Sequence, residues 1–288
     1  MTINWYPGHM NKARKELIKA VPLVDAVIEL RDARAPEATS NPLLETVTAS
    51  LAKIVVLSKA DLADPETTEQ WRLFFNSNAN STCLTNSLDA PLQAPQIIRA
   101  VSLLLRLGAN EKDKKVQVLI TGIPNVGKST LLNTLSGRKL AKTGNEPAVT
   151  QRQQRIKLDD TYYLIDTPGM LWPKLEDQTG AYKLAMIGSI RNTAVEIEDI
   201  GWFAAEILLT NFRRHLEQRY EIGEDVKSAE ALLEFIGYHR AGNKKRGQVD
   251  WHKASDILLN DYRSGKLGRL TLERPPLPPE SLASLLKP

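Results

Sequence analysis

Apolar positions along the chain follow two regimes that change near residue 175. Before it, short apolar runs such as VDAVIEL (24–30), KIVVLS (53–58) and VQVLITG (116–122) alternate with segments of 3.6-residue period such as TTEQWRLFFN and QIIRAVSLLLRL. Runs that are apolar on consecutive positions suit strands buried on both faces, and the intervening helical patterns suit crossovers between parallel strands. STCLTNS supplies a further strand with its loop, and RQQRIKL and TYYLID form a hairpin across Asp159-Asp160. After residue 175 the period is helical throughout, as in GWFAAEILLTNFRRHLEQRY and SAEALLEFIGYH, and the chain closes on the proline-rich LERPPLPPESLASLLKP. The pattern predicts an open α/β sheet over 1–175 and an α-helical domain over 176–288, with the proline-rich segment an extended strap or tail.

Composition narrows the class. At 288 residues and 42% hydrophobic content the chain can bury two ordinary cores. Its single cysteine, Cys83, excludes an intramolecular disulfide and a cysteine-cluster zinc site, and points to a reducing, cytoplasmic compartment. The N-terminal stretch lacks the apolar core of a signal peptide, and no apolar run approaches a membrane span, so no membrane partner is expected. Net charge is +4, too mild to decide anything by itself.

The chemistry lies in short stretches. Gly122-Ile-Pro-Asn-Val-Gly127-Lys128-Ser129 matches a phosphate-binding loop and sits between a predicted strand and the predicted helix STLLNTLS. In that setting the backbone of Asn125, Val126 and Gly127 wraps phosphates, Lys128 reaches the terminal ones, Ser129 ligates magnesium and Thr130 continues the anion-facing helix start. Asp166-Thr-Pro-Gly169 follows a strand about forty residues later, where Asp166 holds magnesium through water and the Gly169 N–H meets the γ-phosphate. Thr150, in a polar stretch between the two, is the candidate switch threonine on the metal.

Ser58-Lys59-Ala60-Asp61 chooses the base. A carboxylate at Asp61 accepts from guanine N1–H and N2–H₂ together, a donor pair that adenine does not offer, while the Lys59 stem lies along the ring. Asn86-Ser87, after the next strand, covers the other ring edge. In conventional GTPases the guanine motif follows the phosphate loop, whereas here it precedes it by about sixty residues. Ligands bind at the carboxyl ends of parallel strands whichever strand the chain starts from, so reordered motifs still converge. The order is that of a circularly permuted P-loop GTPase.

Trp5-Tyr6-Pro7-Gly8-His9-Met10, Arg31-Asp32-Ala33-Arg34, GIPNVGKST and DTPGMLWPK together closely resemble the ribosome biogenesis GTPase A family. The resemblance implies GTP/GDP and magnesium as ligands, a bacterial or organellar factor for late maturation of the large ribosomal subunit, a helical domain on ribosomal RNA, and a monomer off the ribosome. It also points to His9 as the group that orients the hydrolytic water, because Met170 stands where Ras-like proteins place glutamine. Asn125 resembles the asparagine of potassium-activated GTPases, which adds K⁺ as a candidate ion. Ser58, in place of the usual asparagine, and Ala148, in place of a glycine, depart from the family pattern.

Residues 239–269 carry eight Lys and Arg against three Asp, a local +5, and lie among Tyr238, Trp251 and Tyr262. Phosphate contacts from Lys244, Lys245, Arg246, Lys253 and Arg263 with aromatic stacking form the candidate RNA surface. Lys12, Arg14, Lys15 and Lys19 form a second basic stripe, and Arg31 and Arg34 a possible third. Two other readings stay open at this point: a nucleotide-dependent RNA scaffold in which hydrolysis is incidental, and an ATP-dependent enzyme on the same phosphate loop.

Overall fold

The computed structural model describes residues 8–107, 115–137, 154–172, 177–190, 196–240 and 249–276. It divides into two compact units. One runs from Tyr6 to Lys174 and resumes at Thr271, and the other is built from Leu175–Leu270.

The first unit is a six-stranded sheet ordered β3-β2-β1-β4-β6-β5. Its strands are β1 (Ala26–Asp32), β2 (Ala52–Ser58), β3 (Ser81–Thr85), β4 (Val116–Gly122), β5 (Gln154–Lys157) and β6 (Tyr162–Asp166). All neighbours are parallel except the β5–β6 hairpin. The apolar runs put β1, β2 and β4 in the middle, where helices cover both faces. α1 (Gly8–Ala20) sends Leu17 and Ala20 into a core shared with Val27, Leu119 and Met170. α3 (Pro65–Asn76) packs Trp71 and Phe75 against Val55, Leu57 and Cys83 farther along the same face, since the register aligns Val27, Glu29 and Val55 on one side of the sheet. Each crossover helix begins where its sequence provides a cap. Asn41 accepts from Leu43 N ahead of α2 (Pro42–Val47), Asp64 accepts from Thr67 N ahead of α3, and Gln93 and Gln96 form a capping box on α4 (Ala94–Leu104).

β1 is buried along its whole length although it contains Glu29, Arg31 and Asp32. The charges persist because they are paired: Arg31 meets Glu29 and Glu45 at 3.0 Å each, and Lys53 lies 3.5 Å from Glu29. This overturns the expectation of a basic stripe at Arg31 and Arg34. Both guanidiniums are buried and bonded to carboxylates, leaving no solvent-facing charge for RNA.

The second unit is helical, with α6 (Gln178–Met186), α7 (Ile197–Asn211), α8 (Arg213–Tyr220), α9 (Ala229–His239) and α10 (Trp251–Arg263). α7 and α10 approach closely at Gly201, where an added Cβ would lie 2.2 Å from Ser255 Oγ. Asp261 on α10 accepts from Arg219 and from the Tyr220 hydroxyl, fixing α8 against it. The start of the proline-rich segment departs from its expected place with the helices, since residues 271–276 group with the α/β unit. Among the described residues no helix is long and apolar enough to cross a membrane.

Candidate functional site

Strand register brings the motifs together. Asp32 pairs with Ser58 across β1–β2, Leu30 with Gly122 across β1–β4, and Ile120 with Asp166 across β4–β6, so the carboxyl ends of four parallel strands are aligned. β1 separates the guanine-motif strand from the phosphate-loop strand, and side chains cross it. Lys59 Nζ donates to Asn125 O at 2.8 Å, and Ser58 Oγ lies within reach of both Val126 O (2.5 Å) and Arg31 O (3.0 Å). Two motifs more than sixty residues apart in the chain therefore share hydrogen bonds. The serine that stands for the usual asparagine keeps a tie to the phosphate loop.

The loop itself is shaped by two left-handed residues, Asn125 (φ 58°) and Gly127 (φ 100°), before α5 (Lys128–Ser136) begins. Gly127 favours no side chain at that φ, and Gly122 sits where a Cβ would press on Leu30 O at 3.0 Å. The loop turns backbone N–H groups and a helix start toward one point, with Ser129 and Thr130 in the first turn. Lys128 is buried and its Nζ bonds Asp166 at 2.5 Å and the Thr167 carbonyl. Burial pulls the Lys128 pKa down, and Asp166 only partly offsets it. The Asp166–Gly169 turn is tied to the sheet through the Thr167 hydroxyl, which donates to Ile120 O (2.9 Å). Gly169 lies against the loop so tightly that a Cβ would sit 3.3 Å from Pro124.

On the base side, Lys59 adopts a left-handed φ of 55° and its ammonium lies 2.9 Å from Asp32. Asp32 in turn accepts from Arg34 Nε (2.9 Å) and Nη2 (2.8 Å). Burial would raise the Asp32 pKa, but Arg34 and Lys59 outweigh it and hold the carboxyl far below the usual range. Burial lowers the pKa of Lys59, opposed by Asp32. Among the described residues, Asp61 Oδ1 is buried and without a hydrogen-bond partner. A buried acceptor in that state is costly unless a ligand supplies the donor, and guanine N1–H and N2–H₂ are donors of that kind.

Ala60 N donates to Asn86 O (3.2 Å), tying the guanine turn to the covering loop. The Asn86 side chain accepts from Leu92 N, and Ser87 Oγ bonds Asp89, so both side chains build that loop. In the sequence Asp32 and Arg34 stand out only as part of the resemblance and Lys59 only as part of the guanine motif, with nothing to show that the first two support the third. The signal was two charges at the end of an otherwise apolar strand. Thr150 lies outside the described residues, as does the side chain of His9, which falls in the first turn of α1.

Met170 is fully buried, with its carbonyl accepting from Asn41 Nδ2 (3.1 Å) and its N–H reaching Gly122 O (3.3 Å). A side chain in this core cannot orient a hydrolytic water. We therefore expect Met170→Gln to leave GTP hydrolysis no faster while lowering stability by about 1–3 kcal/mol, the cost of a buried amide without partners. Urea midpoints alongside hydrolysis rates check both halves.

Within the helical unit, Lys253 is exposed on the first turn of α10 and Tyr238 is 41% exposed. Tyr262 is buried in the core and so is no stacking surface. Arg263 donates from Nε to Met186 O (2.9 Å) and from Nη2 to Ala185 O (2.8 Å), which ties its guanidinium to the end of α6. Lys244, Lys245 and Arg246 lie outside the described residues. Lys12, Arg14, Lys15 and Lys19 are exposed along α1.

Among the described residues no cluster of three or more His, Cys, Asp or Glu side chains could hold a metal by itself. Ser129 and Asp166 nevertheless offer a hard, all-oxygen donor pair beside the phosphate loop, the set that suits magnesium shared with a nucleotide.

The profile of a family described as "50S ribosome-binding GTPase" matches residues 117–224. The chain is 39% identical over 282 residues to the ribosome biogenesis GTPase A of Priestia megaterium, covering 96% of this chain and 98% of that one. Two solved YlqF structures share its fold. The GDP-bound form has TM-score 0.66 and 28% identity over 90% of this chain and 99% of the other. The GNP-bound form from T. maritima has TM-score 0.65 and 27% identity over 92% and 99%. The reordered motifs, the sheet that reunites them and these likenesses agree: the chain belongs to the ribosome biogenesis GTPase A family, circularly permuted GTP hydrolases.

Proposed function

We propose that this GTPase drives or checks a late step in assembly of the large (50S) ribosomal subunit, holding ribosomal RNA through its helical unit. It acts in the cytoplasm and is monomeric off the ribosome. The observation that carries the nucleotide half is the buried, unpartnered Asp61 Oδ1 beside a phosphate loop bonded to Lys59 and Ser58. The ribosomal half is supported by the descriptions of the matched family and relatives, by Lys253 with the adjoining Lys244, Lys245 and Arg246, and by the exposed lysines of α1.

In this reading GTP lies with its base on Asp61 and its phosphates in the 122–129 loop. Lys128 exchanges Asp166 and the Thr167 carbonyl for the β- and γ-phosphates. Ser129 and Asp166, with Thr150, would hold magnesium, which would neutralise charge on the phosphate oxygens. Water attacks the γ-phosphorus, the bond to the β-phosphate oxygen breaks, and GDP, inorganic phosphate and a proton result. His9 positions that water and takes its proton. The switch Gly169 stands six residues before the helical unit begins, so loss of the γ-phosphate has a short covalent route to it.

Co-sedimentation with isolated subunits tests the partner. In a GTP analogue the chain should travel with large but not small subunits, its association falling log-linearly with salt as Lys–phosphate contacts are lost. Association with both subunits alike, or independent of salt, would refute it. Asn125 also supports potassium as an activating ion: hydrolysis should run faster in potassium than in sodium chloride, and equal rates would exclude the ion from the site. The scaffold reading keeps binding but predicts no coupling between particle and hydrolysis.

A further inference from the structure

After α10 the chain returns to the α/β unit and lays residues 271–276 across the two loops that support the guanine motif. Thr271 and Glu273 are 6% and 7% exposed, deep burial for polar residues in a proline-rich segment. The Thr271 hydroxyl accepts from Asp64 N (3.1 Å), at the end of the turn that carries Asp61. It donates to Ala33 O (3.3 Å), in the loop after β1. Leu272 N donates to Arg34 O (2.7 Å), and Arg34 grips the Asp32 that holds Lys59. The Glu273 carboxylate collects the Glu37 and Ala38 N–H groups (2.7 and 3.2 Å), and its carbonyl takes the Trp71 indole (3.1 Å).

We infer that Thr271, backed by Leu272 and Glu273, is a positioning residue for guanine selectivity, stapling the Asp61 turn to the Asp32–Arg34 loop. Within the turn, Leu62 N bonds Lys59 O (3.0 Å) and Ala63 N bonds Ala60 O (3.4 Å), which set its shape. Its placement comes from Lys59 on Asp32 and Asn125 and Ala60 N on Asn86 O at one end, from Ala63 in the core with Trp71, and from Asp64 on Thr271 at the far end. A hydroxyl has one proton and accepts readily, so a single threonine satisfies both loops at once. A valine of the same shape would leave a part-buried N–H and a buried carbonyl unmatched and loosen the far end of the turn.

The inference rests on Asp61 reading guanine but not on the identity of the macromolecular partner. Its test compares GDP with inosine diphosphate, which lacks the 2-amino group, in wild type, Thr271→Val, Thr271→Ser and Asp61→Asn. In Thr271→Val, GDP affinity should fall about tenfold, because binding must then re-order a loosened Asp61 turn. Inosine diphosphate should lose much less, shrinking the preference, and Thr271→Ser should restore both. A lowered melting temperature with an unchanged GDP-to-inosine ratio in Thr271→Val would overturn the staple while Asp61→Asn still abolishes the preference. An unchanged preference in Asp61→Asn would remove the guanine site and the inference with it. Hydrogen exchange of the intact wild type gives a reading that does not depend on folding of the variant. GDP should slow exchange at the Asp64 and Leu272 amides, and unaltered exchange there would equally overturn the staple.

Discussion

Asp61→Asn is expected to weaken GTP and GDP binding by roughly 10²–10⁴-fold, two charge-assisted hydrogen bonds at about 1.5–3 kcal/mol each. It should at the same time create affinity for xanthine nucleotides. The carboxylate accepts from N1–H and N2–H₂ of guanine. An asparagine keeps one acceptor and turns an N–H₂ toward position 2, where xanthine carries a carbonyl and guanine an amine. The effect is large because Asp61 Oδ1 is already buried and unpartnered among the described residues, so binding does not first have to strip its protein bonds. Competition titrations with guanosine, xanthosine and adenosine nucleotides check it. Equal competition by ATP and GTP against wild type would discard the base assignment altogether.

His9→Ala carries the second large effect. Hydrolysis should fall by about 10²–10³-fold, within the range for removal of a positioned general base, while GTP affinity changes by less than about twofold. The argument starts from Met170. The residue after DTPG is packed with Leu17, Ala20 and Val24 and is closed to water, so the group that orients the nucleophile has to come from elsewhere. α1 is anchored on this same core through Leu17 and carries His9 eight residues earlier, roughly 12 Å along the helix at 1.5 Å per residue. Near-neutral titration suits an imidazole to that task. Single-turnover rates of the two proteins at saturating GTP, with affinity measured in parallel, separate loss of chemistry from loss of binding. An unchanged rate would release His9 from the mechanism.

Much of the sheet was legible before any coordinates, for a physical reason. VDAVIEL, KIVVLS and VQVLITG are apolar on both faces, and a strand in the middle of a helix-covered parallel sheet has no alternative composition. The site was legible because its pieces are local: a glycine-rich turn between strand and helix, DTPG at a strand end, SKAD at another. What sequence could not supply was pairing. Arg31 and Arg34 read as surface charge because nothing local reveals that Glu29, Glu45 and Asp32 neutralise them. Tyr262 and Arg263 read as RNA contacts for the same reason, whereas a buried ring and two carbonyl bonds assign them to packing. Proline marked 272–288 as extended but could not say where an extended strap docks. That depends on Asp64, Ala33 and Trp71, about two hundred residues away.

The proposed function requires GTP hydrolysis to respond to the bound large subunit. Single-turnover hydrolysis of GTP, with and without isolated large ribosomal subunits, measures that response directly. The account predicts slow intrinsic turnover, acceleration of at least about tenfold by large subunits, and none by small subunits. A rate unmoved by large subunits to which the protein demonstrably binds would contradict it and leave a nucleotide-dependent scaffold in its place.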